Sequence, residues 1–126
     1  MKLICIGDSL TFGYGVHLSQ RWTRLCAQET GWELVNEGIN GDTTGGMLAR
    51  MQGGVLAELR EGGLGADRPY VLLMGGSNDV FYSGSDAAAR GNMGAMIHQL
   101  FSVGVLPMVG IPLPADAPHA PRAWAA

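Results

Sequence analysis

"ICIGDSLTFGYG", residues 4–15, decides the fold. The apolar run Leu3–Ile6 shows no polar alternation and then stops on Gly7, Asp8 and Ser9. A strand of that kind is covered on both faces, as strands of parallel sheets are. A tight turn straight after it exposes whatever sits there, which makes Ser9 a candidate nucleophile. At a helix or turn N-terminus, the Ser9 backbone N–H also points at any anion forming nearby. On these residues alone, a serine that only caps a turn fits equally well.

Working outward, Glu33–Asn36, Tyr70–Met74 and Val105–Ile111 repeat the pattern of the first run, Lys2–Ile6. Helical spacing lies between them. Ser19 is placed to cap a helix with Trp22, Leu25 and Cys26 inward, and Gly31 ends it. Thr43 or Thr44 starts a second, with Met47, Leu48, Met51, Val55 and Leu59 on one side, weakened by Gly53 and Gly54. Ser85 or Asp86 starts a third, with Ala89, Met93, Met96, Ile97, Leu100 and Phe101 inward and Gly104 at its stop. The methionines at these spacings read as core filler. Strand and helix alternate throughout, which predicts an α/β chain with a parallel sheet and helices on both faces. Sites in such sheets form beyond the carboxyl ends of the strands, here residues 7–15, 37–44, 75–84 and 112–126.

The chain has 126 residues, 47% hydrophobic and 15% charged, which predicts one globular domain over 1–126 rather than a disordered segment. With a formal charge of −3 and scattered Lys and Arg, there is no basic footprint for nucleic acid. Cys5 and Cys26 read as buried core thiols, since no metal-ligand spacing surrounds them. The start, "MKLICIGDS", is too short an apolar run for a signal peptide or a membrane span, so a cytoplasmic location is expected. Pro107 sits near the start of the last strand or marks it as an edge.

Two further loops carry candidate chemistry. In "NEGINGDTT", residues 36–44, Gly38 and Gly41 flank Asn40, and a glycine can bring a bare N–H to a ligand. In "GGSNDV", residues 75–80, the Asn78 amide can donate to a developing oxyanion without adding charge, and Asp79 can brace the loop by accepting N–H bonds. Each alone is an ordinary turn. Their weight comes from convergence: three such turns fall in order on one edge of one sheet.

At this point "GDSLTFGYG", "NEGINGDTT" and "GGSND" together resemble the first three sequence blocks of the GDSL, or SGNH, hydrolases. The resemblance covers nearly the whole chain. It implies a flavodoxin-like three-layer αβα sandwich, distinct from enzymes with a G-x-S-x-G elbow, because Thr11 stands where that motif has its last glycine. It implies Ser9 as nucleophile, with Ser9 N–H, Gly41 N–H and the Asn78 amide as the oxyanion hole. Asp8 and Asp79 become loop supports. The implied reaction is acyl transfer from a small-molecule ester, with no metal and no organic cofactor.

The serine also needs a base. His98 falls inside the third helix pattern. His17 is close to Ser9 in sequence but has no evident acidic orienter. Asp116-Ala117-Pro118-His119 has the D-x-x-H form of the family's catalytic histidine block, in which the acid holds the imidazole tautomer. In the family that block follows a fifth strand and precedes a final helix, whereas here "GIPLPADAPHAPRAWAA" follows the fourth strand directly. Two readings stand. In one, about four strands are present, the fifth strand and its histidine block are missing, and Asp116/His119 is coincidental. In the other, His119 is the base and Asp116 its orienter in a minimal version. The first leaves an apolar sheet edge at "VLPMVGI", a surface for a homodimer.

Three functions therefore compete. The leading one is a serine ester hydrolase working through an acyl-enzyme. The first rival keeps the fold and binds esters or carbohydrates without turnover. The second is a mononucleotide binder, against which stands the absence of G-x-G-x-x-G, of a P-loop and of any basic residue in the first three loops.

Overall fold

The quoted stretch opens with strand β1, Lys2–Gly7, whose residues from Leu3 onward are all buried. A computed structural model of the chain describes residues 1–61 and 69–112. In it β1 pairs in parallel with β2 (Glu33–Gly38) on one side and β3 (Tyr70–Met74) on the other. Strand β4 (Met108–Val109) pairs in parallel with β3, giving the order β2-β1-β3-β4. A strand flanked on both sides and covered on both faces has no solvent side, and this is why β1 lacks alternation.

The two faces of the sheet are built differently. Ile4 and Ile6 stand level with Val71 and Leu73 and form the core with Met47, Met51, Val55, Leu59, Met96 and Leu100. Those partners come from α3 (Thr44–Ala49), a π-helical turn (Met51–Val55), α4 (Leu56–Glu61) and α6 (Ala87–Ser102). Unbranched methionine side chains fill the irregular gaps between these helices and the sheet. On the opposite face, Asn36 stands level with Cys5, and its amide donates to Thr11 O at 2.8 Å and Thr23 Oγ1 at 3.2 Å. That places α1 (Ser9–Phe12) and α2 (Trp22–Thr30) there. The result is the three-layer α/β architecture with a four-stranded parallel sheet.

Several boundaries differ from the sequence reading. β4 is two residues long rather than spanning 105–111; Pro107, which has no N–H to give a ladder, immediately precedes it. Ser19 lies in a 3₁₀ turn (Leu18–Gln20), and α2 starts at Trp22 with no side-chain cap. Leu25 and Phe101 face outward, 49% and 55% exposed. Cys5 is buried, Cys26 only half-buried, and both thiols are free. Burial pushes the Cys5 thiol up to about 11. Gly53 and Gly54 interrupt the second helix as a π-turn that keeps Met51 and Val55 both buried. Thr43 does cap α3, its hydroxyl accepting from Gly46 N, and Gly31 ends α2 in the left-handed region. Helix α5 (Ser77–Ser83) is new to the account; seven residues without an apolar period gave no helical signal. No helix among the described residues is long and apolar enough to cross a membrane.

Candidate active site

The site grows from one register fact. Gly7 stands opposite Gly38 of β2 and opposite Met74 of β3, so three strands end level and their loops leave the same edge. β1 also lies where the chain reverses its direction across the sheet, since β2 is on one side of it and β3 and β4 are on the other. Crevices for ligands form at such switch points.

Backbone contacts tie the first two loops together. Ile39 N donates to Gly7 O at 3.1 Å. Gly38 sits so close to α1 that a Cβ there would overlap the Phe12 backbone nitrogen and crowd Asp8 O, which only a glycine tolerates. Ser9, half-buried, is the first residue of α1. The side chain of Asp8 caps that turn, Oδ1 accepting from Leu10 N at 3.0 Å. Asp8 is buried, and burial raises its carboxyl pKa above the ordinary carboxylate range; the Leu10 N–H opposes this, while the negative charges of Asp42 and Asp79 add to it.

The second loop turns at Gly41, whose φ of +76° is in the left-handed region. Beyond it, Asp42 Oδ2 receives Arg50 Nε at 3.0 Å and Nη2 at 2.9 Å. The same guanidinium donates to Glu37 O at 2.7 Å and Gly7 O at 2.9 Å. One planar fork thus holds the ends of β1 and β2 and the second loop in a fixed relation.

Helix α5 carries the third loop. Asn78 Nδ2 donates to Asp42 O at 2.8 Å, directly beside Gly41. Asp79 is buried and accepts twice from one residue, Thr44 N at 2.8 Å and Thr44 Oγ1 at 2.7 Å. Asn92 of α6 then donates to Thr44 Oγ1 at 3.1 Å.

Ser9, Gly41 and Asn78 therefore sit on three loops bound to one another at one sheet edge. The histidines behave differently. His17 Nδ1 lies 2.7 Å from Ser19 Oγ in an exposed local turn, and His98 is exposed on α6. Asp116 and His119 lie outside the described residues. No group of three or more His, Cys, Asp or Glu that could hold a metal ion occurs among the described residues. The sequence reading missed Arg50, Thr44 and Asn92. Two of them left a signal: Arg50 follows Met47 by three, and Asn92 follows Ala89 by three, each a polar residue set on an apolar stripe.

An α/β chain with loop-borne serine, glycine and asparagine at the sheet's switch point defines a class by its fold and residues together. The chain belongs to the GDSL-like Lipase/Acylhydrolase family, whose model matches residues 5–126. It is similar to Esterase TesA of Pseudomonas aeruginosa, with 29% identity over 95% of this chain and 58% of that protein. Among solved structures it resembles a G-D-S-L family protein from Desulfitobacterium hafniense DCB-2, with a TM-score of 0.82 and 25% identity over 98% of this chain and 65% of the other. The crystal structure of TesA gives a TM-score of 0.77 and 27% identity, covering 99% of this chain and 69% of that one. The chain thus spans 58% of the curated relative it matches and 65% of the first of these structures.

Proposed function

We propose that this chain is a serine ester hydrolase acting on small acyl esters. Ser9 attacks the ester carbonyl through Oγ and passes its proton to a base. The carbonyl oxygen becomes an oxyanion, received by Ser9 N–H, Gly41 N–H and the Asn78 amide. Collapse expels the alcohol, which takes up the proton, and leaves an acyl-Ser9. Water then attacks with help from the same base, releasing the acid and restoring Ser9. We assign the base to His119 and its orienter to Asp116, on the D-x-x-H pattern. Asp8 and Asp79 act as supports, one capping the turn that presents Ser9 and the other anchoring the turn that presents Asn78.

The single observation that carries this reading is the 2.8 Å bond from Asn78 Nδ2 to Asp42 O. It fixes the carboxamide beside Gly41 and leaves its second N–H for a ligand. Preorganised donors of this kind are each worth about 3 kcal/mol in a transition state. TesA and the family as a whole support ester chemistry by kinship.

The test is p-nitrophenyl acetate hydrolysis by the parent and by Ser9→Ala. The reading expects a loss on the order of 10⁴–10⁶ in kcat, leaving the residual rate that binding and oxyanion donors supply. A Ser9→Ala protein as fast as the parent removes Ser9 from the chemistry. His119→Ala then separates turnover from retention of ester binding alone. A large kcat loss assigns the base; no change, in a parent that turns over, moves the base elsewhere.

A further inference from the structure

The aromatic side chains of α5 have no part in the assignments above. Tyr82 follows Asn78 by four residues, one helical turn, so the two share a face of α5. Tyr82 is 65% exposed, unusual for a large aromatic that a core could bury. Its hydroxyl lies at Gly41: a Cβ built on that glycine would be 3.7 Å from the Tyr82 oxygen, its one near neighbour. Phe81 meets the Tyr82 ring edge to face, with centroids 5.6 Å apart and planes at 75°, which fixes the direction of the phenol. Gly41 is therefore flanked by two polar groups of one helix, the Asn78 amide bonded to the next residue's carbonyl and the Tyr82 hydroxyl over the glycine itself.

We propose that Tyr82 is a substrate-contacting residue of this site, its hydroxyl hydrogen-bonding to the ester group seated at Gly41. The inference rests on the hydrolase reading and extends it. An ester that accepts from Gly41 N–H occupies the space that a side chain at 41 would fill, and the phenol oxygen borders that space. A glycine in the left-handed region keeps the space open. The hydroxyl then discriminates for esters with an acceptor oxygen on that side, the alkoxy oxygen or a substituent next to it. A loop-packing role for Tyr82 would use only the ring, and removing the oxygen alone separates the two.

The experiment measures kcat and KM for p-nitrophenyl acetate in the parent, Ser9→Ala and Tyr82→Phe, with thermal midpoints for all three. We expect Tyr82→Phe to keep the parent's midpoint and lose about 3–10-fold in kcat/KM, as one neutral hydrogen bond supplies. The loss should fall on KM if the bond is made in the ground state, and on kcat if it strengthens in the transition state. Tyr82→Phe equal to the parent in both constants, while Ser9→Ala is inactive, overturns the role of Tyr82 and leaves the hydrolase reading standing. Ser9→Ala as active as the parent overturns the hydrolase reading, and the inference with it. A Tyr82→Phe protein with a lowered midpoint and a matching loss of active fraction also overturns it, in favour of a structural role.

Discussion

The first and third loops each place a buried aspartate beside the residue expected to do chemistry, and they treat that aspartate differently. Asp8, preceding Ser9, has one side-chain partner of note, Leu10 N, inside a four-residue helix. Asp79, following Asn78, takes both the N–H and the hydroxyl of Thr44, and Asn92 backs that hydroxyl from a third element. Asp79 is thus a joint between the third loop, α3 and α6, whereas Asp8 is a local cap burdened by burial and by neighbouring acids. A buried carboxylate holds structure together in proportion to the donors that meet it. The Gly7–Ser9 turn depends instead on Gly38, on Ile39 N and on the Arg50 fork, all of which grip backbone.

The contrast can be broken at three points. Asn78→Ala should have the largest effect, a fall of about 10²–10³ in kcat for p-nitrophenyl acetate with a much smaller loss of stability, because it removes a donor aimed at charge that develops in the transition state. Asp79→Ala should act the other way. It orphans the Thr44 N–H and hydroxyl in a buried place, and urea denaturation should show a loss of about 2–4 kcal/mol. If Asp79→Ala were as stable as the parent, the joint would not exist.

Asp8→Asn should be the mildest, and its sign is informative. Asparagine keeps an oxygen for Leu10 N and removes the charge. The folded carboxyl has a raised pKa, so the native state binds more protons than the unfolded chain between the unfolded and the folded value. Asp8 therefore contributes less stability as pH rises through that window, and its ionised form is a net penalty above it. Asp8→Asn should match or exceed the parent's thermal midpoint at neutral pH, with the advantage shrinking as pH falls below the ordinary carboxylate range. An advantage that grows on acidification would contradict the assignment of burial as the dominant cause.

Much of this was legible in the sequence because the physics is local. A central strand of a parallel sheet must be apolar without alternation, and Leu3–Ile6, Tyr70–Val71 and Leu72–Leu73 say so directly. Three glycine-bearing turns in order located the functional edge before any coordinates. What stayed hidden depends on distant partners. Arg50 gave one charge on an apolar stripe, but nothing in the chain says that it reaches carbonyls 13 and 43 residues away. Helix α5 was unreadable because its seven residues are held by Asp79 and Asn78 anchoring outward rather than by an apolar face of their own. Tyr82 looked like part of a turn until the helix placed it one turn past Asn78. The short β4 shows the converse: an apolar run, "VLPMVGI", over-predicted a strand that pairs with β3 only at Met108 and Val109.

The central claim is that Ser9, Gly41 and Asn78 converge on one reacting oxygen. The most direct measurement is a crystal structure of the chain after reaction with diethyl p-nitrophenyl phosphate, where Ser9 Oγ displaces p-nitrophenolate and keeps the phosphoryl group. The account predicts a phosphoryl oxygen about 2.7–3.1 Å from Ser9 N, Gly41 N and Asn78 Nδ2 together. An adduct on another residue, or a phosphoryl oxygen on Ser9 turned away from Gly41 and Asn78, would contradict it.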